Sequence, residues 1–162
     1  EDDLAYITKT TELLRGVAGA QLKGWISPRA TAGVNSIKRF ADAGYIWHGD
    51  TLDADLPYLQ TFEDGAKIVA VPFTVDINDL PHAMRYGRTP RQYVEMFDEF
   101  VAQALRNDDD PIIIDVLVHT HCYGRPGGAW AYQELVEKCA GRDDIWVTTR
   151  GDIAEWFLQS RG

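Results

Sequence analysis

His119 and His121 stand at the end of PIIIDVLV, a nearly continuous apolar run over 111–118. Residues i and i+2 of an extended chain project to the same side, so both imidazoles are expected to face one site. Histidine titrates near neutral pH and serves as a general acid, a general base or a metal ligand. Arg125 follows in a Gly-Arg-Pro turn and adds a permanent positive charge. These residues predict a chemical site beyond the end of this strand.

Charged residues also follow the earlier apolar runs of the chain. Arg29 comes after QLKGWI in a Ser-Pro-Arg turn, Asp55 lies in an acidic loop after YIW, and Asp79 follows KIVAVPF. An arginine can orient a carboxylate or an oxyanion, and several carboxylates in one loop can bind a cation or a polar substrate. Cys122, close to both histidines, leaves a thiol nucleophile as an alternative. The sequence contains neither a glycine-rich phosphate loop nor a Gly-x-Ser-x-Gly elbow.

An alternation of helices and strands must position these residues. Apolar periodicity, capping residues and glycines predict helices over about 3–18, 34–41, 90–105, 128–139 and 152–158. Short apolar runs predict strands over 21–26, 45–47, 67–73, 111–118 and 145–149. Two segments without a strong period, 48–65 and 76–88, are predicted to be loops. This order is typical of an α/β fold with parallel strands, in which ligands bind beyond the C-terminal strand ends.

The length and composition of the chain limit the classes of protein to which it can belong. The chain has 162 residues, of which 45% are apolar, which is enough for one domain with a buried core. Its 16 basic and 25 acidic residues give a net charge of −9, which argues against nucleic acid and anionic membrane surfaces as partners. No apolar run approaches the length of a membrane span. Two cysteines without a disulfide pattern and no visible signal peptide predict a cytoplasmic protein.

Five stretches of the chain resemble, in the same order, motifs of the polysaccharide deacetylase superfamily. They are GWISPR (24–29), DADLPY (53–58), VPFTVDIND (71–79), HTHCYGRP (119–126) and IWVTTRGDIA (145–154). The chain looks closest to the branch that contains cofactor-independent allantoinases, cyclic-imide hydrolases and some peptidoglycan deacetylases. The resemblance implies a partial, distorted (β/α) barrel of parallel strands alternating with helices. Residues 1–162 would form the C-terminal part of a single catalytic domain.

The same resemblance implies hydrolysis of a carbon–nitrogen bond that is not a peptide bond, in an N-acetylated amino sugar or a cyclic amide. By this resemblance Arg29 orients catalytic carboxylates, and His119 is the general acid toward the leaving group. Four further residues are expected to bind the substrate: Asp55, Asp79, His121 and Arg125.

The superfamily motifs that hold a divalent metal, usually zinc, are an acidic motif and an H-x3-H pair, and this sequence contains neither. No metal ligand is therefore expected in this chain. The ligands are expected in an N-terminal segment of the same domain, which would be a partner of these residues, and residues 1–162 alone are expected to be inactive. The aromatic content is also compatible with a homo-oligomer.

Two other interpretations stay open at this point. In the first, the chain is a non-catalytic module that binds a carbohydrate or amide and has lost the metal site. In the second, His119 and His121 form an H-x-H metal-binding pair like that of amidohydrolase barrels. That pair usually ends an early strand of the barrel, whereas here it ends a late one.

Overall fold

The computed structural model describes residues 2–106 and 111–160, and it describes side chains from Leu4 onward. The chain forms two compact units, one made of Glu1–Phe73 with Thr148–Gly162 and the other of Thr74–Val147. Each unit has its own sheet and its own apolar core. The expectation that residues 1–162 belong to a single catalytic domain stays a prediction.

Helices and short strands alternate along most of the chain. The helices are α1 (Asp2–Ala18), α2 (Ser36–Asp42), α3 (Pro90–Ala104), α4 (Ala129–Cys139) and α5 (Arg150–Ser160). The strands are β1 (Gly24–Trp25), β2 (Trp47–His48), β3 (Tyr58–Thr61), β4 (Lys67–Ala70), β5 (Ile77–Asn78) and β6 (Val116–Leu117). The predicted alternation is therefore present, with strands shorter than the apolar runs that contain them.

The first unit holds a four-stranded sheet in the order β1-β2-β4-β3. Strands β1, β2 and β4 are parallel, and β3 pairs antiparallel with β4. Aromatic rings fill the core beside this sheet. Trp25 stacks on Phe40 with the ring centroids 5.0 Å apart, and Tyr45 meets both rings edge-on. Ile7 of α1 and Ile68 of β4 complete this buried cluster.

Gly24 is required by its neighbour across the sheet. It pairs with Trp47 in the register of β1 and β2. A Cβ atom added at Gly24 would lie 1.8 Å from a carbon of the Trp47 indole, far inside van der Waals contact. A glycine within a strand commonly marks such a close approach. The indole therefore occupies the space that a side chain at position 24 would need.

The second unit contains the parallel pair β5 and β6 beside helices α3 and α4. Helix α3 begins with the predicted capping box, in which Thr89 and Gln92 exchange side chain to backbone hydrogen bonds. Both residues satisfy amide groups that the first helical turn leaves without partners. The core of this unit draws on both helices and on the strand pair: Ile77, Tyr93, Val94, Phe97, Val101, Tyr123, Ala131 and Leu135.

Three sequence-based expectations about the elements are wrong. The predicted loop over 48–65 contains β3, because an Asp64-Gly65 turn closes a hairpin with β4. The predicted loop over 76–88 contains β5 and a π-helical turn at Pro81–Arg85. The predicted strand over 145–149 is not formed, since those residues join no sheet in the described part of the chain. The β-branched and aromatic residues of this segment favour an extended backbone. A strand also needs a neighbouring strand to pair with, and this segment has none in the described part of the chain.

Tyr93 connects the two strands of the second unit. Its ring is fully buried, and its hydroxyl donates a hydrogen bond to the carbonyl oxygen of Leu117 at 3.0 Å. The carbonyl oxygen of Ile77 lies 3.4 Å from the same hydroxyl. One side chain of α3 thus contacts the backbone of both β5 and β6 near the ends that carry the charged residues.

We expect Tyr93→Phe to lower the free energy of unfolding by about 1–2 kcal/mol, because the carbonyl groups of Leu117 and Ile77 lose their hydroxyl partner. Urea unfolding followed by circular dichroism measures this loss. Tyr132→Phe is the matched control, since Tyr132 is 41% exposed and no hydrogen bond to its hydroxyl is found among the described residues. Equal stability of the two variants would contradict the role given to the Tyr93 hydroxyl.

Candidate active site

Asp79 is the centre of a hydrogen-bonded cluster in the second unit. It follows β5 directly and is completely buried. Its Oδ2 atom accepts hydrogen bonds from the backbone amides of His119 and Tyr123, each at 2.9 Å. Its Oδ1 atom lies 2.6 Å from Nδ1 of His119. One carboxylate thus holds both the backbone of the segment after β6 and the imidazole ring at its start.

The contact with Asp79 assigns the protons of the His119 ring. An ionised carboxylate only accepts hydrogen bonds, so we assign a proton to Nδ1. This leaves Nε2 as the nitrogen that can act on another molecule. The His119 side chain is 35% exposed, so the imidazole has access to solvent while Asp79 beneath it has none. An aspartate and a histidine in this arrangement form a dyad that is suited to proton transfer.

The segment after His119 folds back on itself. The amides of Cys122 and Gly124 donate hydrogen bonds to the His119 carbonyl oxygen at 2.9 and 3.0 Å. A Cβ atom at Gly124 would lie 2.8 Å from that same oxygen, so only glycine fits this turn without a shift. His121 is exposed, and its ring meets that of His119 edge-on with centroids 5.6 Å apart. The structure therefore brings Asp79, His119 and His121 together, as the strand-end argument predicts.

Tyr123 supports this cluster from inside the unit. Its ring is buried and packs edge-on against Tyr93 with centroids 5.5 Å apart. Burial raises the pKa of Tyr123, so the hydroxyl stays protonated, and it donates a hydrogen bond to the backbone carbonyl of Arg88. The amino-acid sequence alone does not single out Tyr123. An aromatic residue in the polar turn between His121 and Gly124 is nevertheless a sign of a buried supporting side chain, because a large ring gains stability by packing against the core.

Arg125 and Cys122 follow His119 in the chain, but neither contacts the Asp79 carboxylate through a hydrogen bond in the described residues. Arg125 is exposed, and its backbone carbonyl accepts hydrogen bonds from the amides of Gly128 and Ala129 at the start of α4. Burial raises the pKa of the Cys122 thiol. Because the thiolate is the nucleophilic form of cysteine, this shift works against the thiol nucleophile considered above.

The first unit carries Arg29 in a strained turn. Arg29 and Ala30 have φ angles of 59° and 52°, in the left-handed region that costs non-glycine residues about 1–2 kcal/mol each. Asp50 holds the start of this turn, since its two carboxylate oxygens accept hydrogen bonds from the Ser27 amide at 2.7 Å and the Ser27 hydroxyl at 2.6 Å. The conformation that presents the exposed Arg29 side chain therefore depends on Asp50, which the sequence did not identify.

His48 fixes Asp50 from below. His48 is buried, its Nδ1 atom accepts a hydrogen bond from the Asp50 amide, and its Nε2 atom lies 3.2 Å from Oε1 of Gln60. This pattern fits a neutral ring with its proton on Nε2. Burial lowers the pKa of His48, which keeps the ring neutral. His48 is thus a structural group that ties β2 to β3 and to the turn before Arg29.

The acidic loop after β2 is mostly exposed to solvent. Asp55 is exposed, and its assignment as a substrate-binding residue stays a prediction. Asp53 accepts hydrogen bonds from the hydroxyls of Thr51 and Tyr58. The bond from Thr51 lowers the pKa of Asp53, so this carboxylate is ionised at neutral pH.

The described residues do not converge on a metal site. Within 2–106 and 111–160, no group of three or more His, Cys, Asp and Glu side chains could hold a metal ion. His119 and His121 lack a third ligand in this part of the chain, which argues against the H-x-H interpretation. A metal of the kind implied by the resemblance would need ligands from other residues.

Comparisons with known proteins give a consistent result. No family model matches the chain. A Schizosaccharomyces pombe protein whose name places it with the polysaccharide deacetylases is 23% identical over 174 residues, which cover 96% of this chain and 54% of that protein. The crystal structure of Puue allantoinase aligns with a TM-score of 0.83 and 24% identity over 97% of this chain and 53% of its own.

Two bacterial structures, both named for polysaccharide deacetylases, agree. The one from Pseudomonas aeruginosa has a TM-score of 0.82 and 22% identity, and covers 96% of this chain and 53% of its own. The one from Mycobacterium smegmatis has a TM-score of 0.80 and 25% identity, and covers 98% of this chain and 57% of its own. The predicted resemblance to polysaccharide deacetylases is confirmed. The predicted fold class is confirmed with it: an α/β fold with mainly parallel strands, related to part of the (β/α) barrel of these proteins.

The chain spans about half the length of the relatives that it matches. None of the helices in the described part is both long and apolar enough to cross a lipid bilayer.

The buried histidines predict how stability depends on pH. Burial lowers the pKa of both His48 and His82 in the folded state. The unfolded chain takes up protons on these rings below a pH of about 6.5, whereas the folded chain takes them up only at lower pH. We therefore expect the free energy of unfolding to decrease between pH 7 and pH 5, by at most about 1.4 kcal/mol per pH unit for each histidine.

Urea unfolding at several pH values between 7.5 and 5 measures this dependence. His48→Gln should reduce the slope, because it removes one of the two titrating rings and leaves His82 in place. A slope identical to that of the unmodified protein would show that His48 does not titrate at a depressed pKa.

Proposed function

We propose that this chain is part of a hydrolase of carbon–nitrogen bonds other than peptide bonds, in which His119 is the general acid. The observation that carries the proposal is the dyad of buried Asp79 and half-buried His119 at the end of β6. The similarity to Puue allantoinase and to proteins named for polysaccharide deacetylases supports the same class of reaction. The substrate is a small molecule, either an N-acetylated amino sugar or a cyclic amide.

His119 would act at the leaving nitrogen of the substrate. Addition of water to the carbonyl carbon gives a tetrahedral intermediate, and the carbon–nitrogen bond then breaks with its electron pair moving to nitrogen. The attacking water gives up a proton to a base, which we expect to be a carboxylate outside the described residues. His119, which has taken up a second proton on Nε2 from solvent, transfers that proton to the leaving nitrogen, so the leaving group departs as a neutral amine or amide. Asp79 keeps the other ring proton on Nδ1 and stabilises the charged ring before the transfer.

Asp79 takes a different role from the one expected from the sequence. It was placed among the residues that bind the substrate, but its carboxylate is fully buried and contacts His119 and Tyr123. We assign it a positioning role for His119. The exposed side chains of Asp55, His121 and Arg125 stay candidates for substrate contacts, and Arg29 for the orientation of catalytic carboxylates.

The metal implied by the resemblance does not fit the residues present. The described residues include no group of side chains that could hold a metal ion. The complete protein would hold its divalent metal, which the resemblance identifies as zinc, with residues outside those described. A non-catalytic module that binds a sugar or amide would hold none.

A further segment of the same domain is proposed as the partner of this chain. Helix α1 exposes several large apolar side chains, of which Tyr6, Leu13 and Val17 are 72%, 62% and 89% exposed. These positions are spaced by seven and four residues, so they share one face of the helix. Strand β1 lies at the edge of its sheet, where it can accept another parallel strand. Both features support a segment that covers α1 and extends the sheet beyond β1.

We expect His119→Ala in the full-length protein to lower kcat by about 10²–10⁴-fold, because the leaving nitrogen loses its proton donor. Asp79→Asn should lower kcat with little change in KM, since it misplaces His119 without altering the substrate contacts. Turnover of N-acetylated amino sugars and cyclic amides measures both variants.

Thr120→Ala provides the matched control between the two histidines, and circular dichroism checks that each variant is folded. Undiminished turnover by His119→Ala would refute the general acid. An equal loss in Thr120→Ala would assign the effect to the turn instead of the imidazole.

The zinc content of the purified full-length protein, taken together with its turnover, separates the hydrolase from the binding module. We expect close to one zinc ion per full-length chain, and no bound zinc in residues 1–162 expressed alone. Inductively coupled plasma mass spectrometry measures both samples after dialysis. A metal-free full-length protein without turnover would favour the binding module, and tightly bound zinc in residues 1–162 would contradict the placement of the ligands elsewhere.

A further inference from the structure

The second unit contains a cavity that the proposed reaction does not use. Its volume is about 440 Å³, within the range of small-molecule sites in proteins. Neither Asp79 nor His119 lines it. The lining side chains come from the segment around β5, the π-helical turn and α3: Val75, Asp76, Asn78, Pro81, His82, Tyr86, Arg88 and Met96.

His82 is the unexplained group of this cavity. It is 4% exposed, and neither of its ring nitrogens has a hydrogen-bond partner among the described residues. Leaving a buried polar group unpaired costs about 1–3 kcal/mol, so such groups are uncommon in folded proteins. Burial and the neighbouring Arg88 lower the pKa of His82, so the imidazole is neutral and offers one donor and one acceptor. A ligand in the cavity would supply the missing partner.

Hydrogen bonds hold the backbone of Arg88 beside His82, whereas its side chain is exposed. Its amide donates a hydrogen bond to the His82 carbonyl at 2.9 Å, and its own carbonyl accepts one from Tyr123. Its guanidinium group lies over the Tyr86 ring, 6.0 Å from the centroid. These contacts leave the hydrogen-bonding edge of the guanidinium available, and such an edge matches a carboxylate.

Asp76 brings the opposite charge to the same cavity. Its side chain is exposed, and it forms no ion pair with Arg88 or with any other cation in the described residues. Asn78 accepts a hydrogen bond from the Leu80 amide through Oδ1, so its amide nitrogen is left to donate. The cavity therefore offers donors for an anion and, separately, a carboxylate for a cation. Its remaining walls are apolar, from Val75, Pro81 and Met96.

We infer that this cavity binds a small zwitterion of the free amino acid class that carries an apolar side chain. The carboxylate of the ligand pairs with Arg88 and receives a hydrogen bond from His82, the ammonium group pairs with Asp76, and the side chain contacts Pro81 and Met96. Because both ring nitrogens of His82 are buried, this hydrogen bond requires a rotation of the imidazole that brings one nitrogen to the cavity. The lining of the cavity shares no residue with the dyad of Asp79 and His119, and binding of the zwitterion does not depend on the proposed reaction.

Isothermal titration of the full-length protein with L-leucine tests the inference. We expect saturable binding that Arg88→Gln weakens at least tenfold. Arg85→Gln is the matched control, because Arg85 also lies over the Tyr86 ring, at 5.7 Å, but does not line the cavity. Two analogues test the two charges. L-leucinamide lacks the carboxylate and 4-methylpentanoate lacks the ammonium group, and each should bind at least tenfold more weakly than L-leucine.

A second measurement follows the His82 ring itself. The ring resonances of His82, assigned by comparison with His82→Phe, should shift on addition of L-leucine. Absence of binding at millimolar L-leucine overturns the inference, as does equal affinity of Arg88→Gln and Arg85→Gln. Binding of 4-methylpentanoate as tight as that of L-leucine would also overturn it, because the cavity would then recognise an anion alone.

Discussion

The buried carboxylate of Asp79 places a strong constraint on the fold of the second unit. Removing an ionised carboxylate from water costs several kcal/mol unless hydrogen bonds replace the lost hydration. Asp79 obtains that replacement from the His119 and Tyr123 amides and from the His119 ring. These donors lie 40 and 44 residues further along the chain, so the segment after β6 must return to the end of β5 for the carboxylate to be tolerated. The same three contacts thus hold the proposed dyad together and fix the return of the chain after β6.

Asp50 has a similar part in the first unit. Its two oxygens bind the amide and hydroxyl of Ser27, and its own amide is bound by the buried His48. In both units an aspartate at the end of one strand holds the segment that follows a neighbouring strand, and that segment carries a residue proposed to act in the reaction. The chain therefore positions Arg29 and His119 by the same physical means, which is a carboxylate that accepts backbone and side-chain hydrogen bonds together.

Much of this arrangement could be predicted from local sequence. The capping box of α3, the apolar faces of the helices and the position of His119 after an apolar run depend on residues close together in the chain. The partners of Asp79 and Asp50 could not be predicted, because sequence spacing does not show which distant amides a carboxylate will meet. The strand predicted over 145–149 was wrong for a related reason, since strand formation requires a neighbour as well as suitable residues. The hairpin of β3 and β4 had a local signal in Asp64-Gly65, but the weak alternation of YLQT concealed it.

The contact between Gly24 and Trp47 has a consequence for how this protein can diverge. The indole ring lies where the side chain of residue 24 would stand, so the two positions share one volume at the edge of the sheet. A larger residue at position 24 is compatible with the same strand spacing only if position 47 becomes smaller. The two positions should therefore covary among homologous sequences, and a substitution at either one alone would have to displace the strand or the ring.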